Sequence, residues 1–224
     1  MIKIENLSKS YGNKSILKNI NLSIDGGQIY GIVGANGAGK TTFFKCLTGI
    51  EDYYGSITSS FSSLKNNTGL LLTEPDFLSK LTGREYIVLM CNARNQDYSD
   101  LDKKNIFDLP LDEYASHYST GMKKKLALLA ILMQKNEVFL LDEPFNGVDM
   151  QSNLILSDIF LKLKELGKIL LVSSHIYSSL TNICDQIFLF EEGELSSGFT
   201  KSHFSKLESE IKSGFKKDIG ILGL

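Results

Sequence analysis

The stretch Gln28-Ile29-Tyr30-Gly31-Ile32-Val33-Gly34-Ala35-Asn36-Gly37-Ala38-Gly39-Lys40-Thr41-Thr42 decides the fold. Its first six residues are a short apolar run of strand type. A glycine-rich turn follows, and then TTFFKCLTGI, apolar at helical spacing, so the order is strand, loop, helix. Residues 34–41 fit GxxxxGK[ST] in the context that pattern requires. Glycines let the backbone curl so that its N–H groups point inward at phosphate oxygens, while the next helix presents its positive dipole end. Lys40 can then reach the β- and γ-phosphates of a nucleotide, and the Thr41 hydroxyl can ligate Mg²⁺. A glycine-rich turn that ends in Lys-Thr by chance is rare enough at this length to set aside.

Working outward, VFLLDE (138–143), KILLVSSH (168–175) and DQIFLF (185–190) are compact apolar runs separated by helical stretches. That pattern predicts an α/β fold with a mainly parallel central sheet and crossover helices. Upstream, Ile2, Ile4 and Leu7, then Ile16, Ile20, Leu22 and Ile24, alternate with polar residues around turn signals at Tyr11-Gly12-Asn13 and Asp25-Gly26-Gly27. They predict an antiparallel β layer on the N-terminal side. From about Pro75 to Tyr118 the strand signal gives way to helical patterning such as GREYIVLMCNAR. We expect an α-helical lobe inserted between the third and fourth parallel strands. The whole, 1–224, is expected to be one domain, with a core of 1–74 and 136–199, a helical lobe over 75–135 and a solvated helical tail over 200–224.

The apolar strand 138–143 ends abruptly in two acids, Asp142 and Glu143. A structural account must tolerate two charges at the mouth of a hydrophobic sheet. A functional account uses both: Asp142 holds Mg²⁺, directly or through water, and Glu143 polarises the water that attacks the γ-phosphate.

Composition bounds the partners. The chain has 224 residues with 24 basic and 26 acidic side chains, a net charge of -2, so no whole-chain field draws it to nucleic acid, and no nucleic-acid partner is expected. Cys46, Cys91 and Cys184 lie far apart and form no CxxC pair, which argues against a disulfide framework or a zinc site. The amino terminus lacks the apolar core of a secretion signal. The longest aliphatic run, 126–133, is far short of the roughly 20 residues that span a bilayer. The expected place is the cytoplasm.

With these motifs in this order, the sequence resembles the ATP-binding domain of ABC transporters over nearly all its length. The resemblance implies a RecA-like nucleoside-triphosphatase core of the P-loop type, with ATP and Mg²⁺ as cofactors. It also implies a dimer in which each nucleotide lies between one chain's phosphate loop and the signature motif of a second copy or homologous subunit. Tyr118-Ser119-Thr120-Gly121-Met122 looks like that signature, so Ser119 and Gly121 are assigned to the partner's nucleotide. Ser119 is also a good helix N-cap, but Lys123, Lys124 and Lys125 oppose the dipole of that first turn, which suits a helix start facing an anion. His175 matches the switch histidine at the γ-phosphate, Asp149 a dimer-contacting acid, and Tyr11 the aromatic that stacks on adenine. Ala35, Asn36 and Thr42 join the phosphate-binding set. The pattern departs from the family where a glutamine is expected to touch Mg²⁺: Thr73 stands there, with Glu74 next to it.

The resemblance further implies a transmembrane permease subunit as partner and a peripheral place on the inner face of the cell membrane. The form YSTGM and the short chain incline the expectation towards export of a drug, antibiotic or peptide-like compound. The rivals are a soluble ABC ATPase acting on ribosome or DNA, which lacks the expected paired domains or long insertions here, and an importer ATPase. A P-loop GTPase would carry an [NT]KxD motif that is absent, and a P-loop kinase would need neither the Ser-x-Gly motif nor the strand-end histidine.

Overall fold

The computed structural model describes residues 1–214. Strands β1 (Ile2–Tyr11) and β2 (Lys14–Ile24) form a hairpin about the Gly12-Asn13 turn, and β3 (Gln28–Val33) leads through the glycine loop into α1 (Lys40–Leu47). Then come β4 (Tyr54–Ser59), β5 (Thr68–Leu71), α2 (Gly83–Asn92), α3 (Leu101–Lys104) and α4 (Thr120–Met133). The second half alternates β6 (Val138–Asp142), α5 (Met150–Glu165), β7 (Ile169–Ser174), α6 (Ser178–Thr181) and β8 (Gln186–Glu191). It ends with the short β9 (Glu194–Leu195) and β10 (Phe199–Thr200) and with α7 (Phe204–Gly214).

Two sheets result. The antiparallel layer has the order β2-β1-β4, and the central sheet the order β10-β8-β3-β7-β6-β5, parallel from β8 to β5. The central strands read as continuous apolar runs because both faces are covered, and alternate residues serve two cores. Val138 and Leu140 of β6, with Ile169 and Leu171 of β7, face the antiparallel layer and α1, where Phe43 and Phe44 are fully buried. Phe139, Leu141, Leu170 and Val172 face α4 and α5. This confirms the predicted fold class.

Two details differ from expectation. The helical insertion lies between the second and third parallel strands in chain order, β5 and β6, because residues 54–59 pair with β1 rather than with the central sheet. The tail helix is solvated on one face only: Ser205, Lys206, Ser209 and Glu210 are exposed, while Leu207 is fully buried, Phe204 and Ile211 pack on the core, and the Tyr177 hydroxyl donates to the Phe204 carbonyl at 2.6 Å. The rest of the expected tail segment, residues 215–224, lies outside the described residues.

Start signals position the helices. Thr82 and Glu85 close a reciprocal capping box on α2, Ser119 caps α4 by accepting from Met122 N–H, and Asp149 caps α5 by accepting from Ser152 N–H at 2.8 Å. These short connections bring the ends of β3, β6 and β7 and the starts of α1 and α4 to one side of the sheet, outside the carboxyl ends of the strands, where open α/β sheets hold their ligands.

Candidate functional site

The glycine loop wraps tightly before α1. Gly39, at φ 117°, occupies backbone space closed to side chains, and a Cβ on Gly34 would strike the Phe190 carbonyl oxygen. The loop is closed by its own lysine. Lys40, 6% exposed, donates from Nζ to the carbonyls of Gly34 at 2.7 Å and Ala35 at 3.1 Å, and stands 3.6 Å from Glu143 Oε1.

Asp142, at the end of β6, is fully buried and saturated by hydroxyls. Ser173 donates to Oδ1 at 2.5 Å, while Thr41 and Thr73 donate to Oδ2 at 2.5 and 2.7 Å. Glu143 leaves the strand with φ 51°, in the left-handed region that a non-glycine residue adopts at a cost. That turn sends both neighbouring carboxylates to the same side. The Glu143 N–H is held by the Ser173 carbonyl and hydroxyl, both at 3.2 Å. Its Oε2 lies 2.9 Å from His175 Nδ1 and accepts from Ser174 at 3.4 Å, whereas the buried Oε1 has no hydrogen-bond partner among the described residues.

A cavity of about 410 Å³ opens between these groups, lined by Lys40, Thr41, Thr73, Asp142, Glu143 and Asn146 among others. Asn36, Gly37, Gly39 and Thr42 complete its loop side. Ala35, Ala38 and His175 border a second cavity on the other side of the loop, so His175 meets Glu143 from behind. The donors facing the first cavity are hard oxygens, the set that suits Mg²⁺. A buried carboxylate carrying two hydroxyls on one oxygen, beside a carboxylate oxygen that accepts no hydrogen bond among the described residues, fits such an ion.

Three expected residues line neither cavity. Tyr11, 46% exposed at the tip of β1, has Lys9 Nζ 4.9 Å from its ring centroid and interacts with Glu51 and Thr42, the latter a cavity residue. Ser119 and Gly121 lie at the exposed start of α4, where a Cβ on Gly121 would come within 2.7 Å of the Gly147 carbonyl oxygen. The lysine run does not collectively face outward. Lys125 pairs with Asp149 at 3.2 Å, and Lys124 turns inward, because buried main-chain carbonyls of the loop after β6 offer a closer negative end than solvent does.

Sequence reasoning missed Ser173, the residue that touches both Asp142 and Glu143. A serine in an apolar strand carries little signal. Only its place opposite Asp142 in the β6–β7 register singles it out.

The family model for ABC transporter matches residues 17–146, more than half of the chain. An ABC transporter ATP-binding protein of Methanocaldococcus jannaschii is 31% identical over 215 residues, covering 92% of this chain and 78% of that one. The bacitracin transport ATP-binding protein of Enterococcus faecalis is 33% identical, covering 87% and 68%, and the lantibiotic transport ATP-binding protein of Streptococcus pyogenes 32%, covering 87% and 89%. A solved ATP-binding subunit of an ABC transporter superimposes with a TM-score of 0.79 at 22% identity, over 93% of each chain, a likeness of fold. With the phosphate loop, the paired carboxylates and the strand-end histidine gathered at one edge of the sheet, these matches identify the chain as an ATP-binding member of the ABC transporter family.

Proposed function

We propose that this chain binds MgATP and hydrolyses it to drive export of an antibiotic or peptide-like compound through a separate membrane subunit. The observation that carries the catalytic part is the convergence of Lys40, Thr41, Asp142 and Glu143 on one cavity, with Glu143 Oε1 facing the Lys40 ammonium at 3.6 Å. The relatives named for bacitracin and lantibiotic transport support the export part. Among the described residues no helix is long and apolar enough to cross a membrane, so the crossing is assigned to another subunit and this chain to the membrane's inner face.

The triphosphate lies along loop 34–42, held by inward N–H groups and by Lys40, which exchanges its bonds to Gly34 and Ala35 for phosphate oxygens. Thr41, Thr73 and Asp142 would hold Mg²⁺, which would supply charge neutralisation to the phosphates. Glu143, its main chain fixed by Ser173, orients and polarises the attacking water, and His175 holds the Glu143 carboxylate from behind until the γ-phosphate engages it. Catalysis is then mostly positioning plus charge stabilisation. Tyr11 offers a π-face to the adenine. Ser119 and Gly121 serve the nucleotide of a second copy or homologous subunit. Residues 75–135 form the lobe that moves with the partner, on a core of 1–74 and 136–199.

The test is Glu143→Gln. It is expected to bind ATP as the parent does and to lose turnover by about 10²-fold or more. An unchanged rate overturns the hydrolytic assignment. For the transport part, affinity purification from native membranes in mild detergent should recover a multi-spanning protein at about equal stoichiometry. Recovery of only ribosomal or DNA-associated proteins would redirect the assignment to a soluble role.

A further inference from the structure

The three lysines at the start of α4 are used in three ways. Lys123 is half-exposed, and Lys125 reaches Asp149 and the Ser152 hydroxyl, both at 3.2 Å. Lys124 is 2% exposed and donates to the main-chain carbonyls of Glu143 at 2.7 Å and Asn146 at 2.6 Å. It makes no ion pair among the described residues. Burial pushes the Lys124 ammonium below its ordinary range, while the charges of Glu143, Asp142 and Glu74 act in the opposite direction. A methionine of similar length would fill the same space without desolvating a charge.

What the cation touches explains its presence. Glu143 has a left-handed φ of 51°, and in a buried non-glycine residue that conformation persists only if its surroundings over-determine it. From β7, Ser173 takes the Glu143 N–H; from α4, Lys124 takes the Glu143 carbonyl. The start of α4 therefore meets the segment 143–149 at three levels. Gly121 packs on Gly147, Lys124 bonds Glu143 and Asn146, and Lys125 pairs with Asp149.

We propose that Lys124 is a positioning residue for hydrolysis: docked on the carbonyls of Glu143 and Asn146, it aims the Glu143 carboxylate and ties that aim to the seating of the α4 start. The helix that presents Ser119 to a neighbouring nucleotide is thereby linked to the main chain of the group acting in its own site. This rests on Glu143 as the residue that activates the attacking water.

A double-mutant cycle tests it, with Lys124→Met and Lys124→Gln each made in the parent and in Glu143→Gln. The readouts are ATP dissociation constants and single-turnover release of labelled γ-phosphate, which follows even slow variants. Lys124→Met should lower the parent's rate about tenfold or more with ATP affinity changed less than twofold. Lys124→Gln, with a shorter donor, should recover part of the loss. In the Glu143→Gln background Lys124→Met should change the residual rate less than twofold, since the group it aims is already gone. An equal fold-loss in both backgrounds, or a parent rate untouched by Lys124→Met, overturns the proposal while leaving the role of Glu143 intact. Wild-type turnover in Glu143→Gln alone overturns both. If Lys124→Met fails to fold, Lys124→Gln carries the same cycle.

Discussion

The Thr73 hydroxyl donates to Asp142 Oδ2 at 2.7 Å, the same carboxylate oxygen that Thr41 reaches at 2.5 Å. Where the family pattern leads one to expect a long glutamine, a short side chain stands directly on the buried carboxylate. The loop after β5 is thus bonded to the acid proposed to hold Mg²⁺.

Thr73→Val keeps the shape and removes the donor. Losing one hydrogen bond to a charged group corresponds to about 1.5–3 kcal/mol, or roughly ten- to a hundredfold. ATP affinity without Mg²⁺ should stay within twofold, while the Mg²⁺ concentration for half-maximal turnover rises and kcat falls. Thr73→Gln should likewise spare ATP affinity and alter turnover. Titration calorimetry with and without Mg²⁺, set beside steady-state rates, separates these effects. A large loss of metal-free ATP affinity would sink the assignment of Thr73 to the metal side of the site.

Ser173 holds Asp142 Oδ1 and the Glu143 N–H together from a fully buried position. Ser173→Ala leaves both partners under-satisfied, at about 1–3 kcal/mol of stability. Turnover should fall more steeply than ATP affinity, because Ser173 touches the two acids and not the phosphate loop. Chemical denaturation alongside kinetics checks both; a pure stability loss with normal kcat would reduce Ser173 to a core residue.

What could be read from the sequence follows from where the physics is local. The phosphate loop announces itself because glycine, lysine and hydroxyl must stand at set spacings. The doubly covered strands announce themselves because both faces are apolar. Long-range pairing is another matter. Residues 54–59 joined β1 because of register with a partner some fifty residues away, which no local pattern carries. The same holds for Ser173 opposite Asp142 and for the inward turn of Lys124, whose acceptors lie about twenty residues downstream. The tail misled for a related reason: Phe204, Leu207 and Ile211 are three spaced apolar anchors in an otherwise polar and charged helix.

Asp149 accepts from the Ser152 N–H and hydroxyl and pairs with Lys125, and these contacts, the main-chain bond first, hold its carboxyl well below the usual range. A carboxyl depressed by folding stabilises the protein above its unfolded pKa of about 3.9, and that contribution fades as pH falls towards the folded value. Asp149→Ala should therefore melt roughly 2–4 °C below the parent at pH 7. The gap should narrow below about pH 4. Asp149→Asn, which keeps a capping oxygen, should lie between the two. Melting curves from pH 3 to pH 8 check this, and a gap that widens in acid contradicts it.

Gly121 offers a way to shift the start of α4 without altering a residue that lines the chain's own cavity. A methyl group there meets the Gly147 carbonyl oxygen at 2.7 Å, a main-chain atom that cannot swing aside, so Gly121→Ala must push the helix start off the loop. The cavity beside Lys40 does not include Gly121, so ATP affinity of the isolated chain should change little. In the Glu143→Gln background, which should accumulate an ATP-dependent dimer if the chain pairs with itself, Gly121→Ala should abolish that dimer. In the parent it should cost about 10²-fold in turnover, the scale of a displacement near 1 Å. Size-exclusion chromatography with MgATP reads the first outcome. A dimer retained at full proportion would show that the start of α4 does not meet the partner's nucleotide, and the role of Ser119 would fall with it.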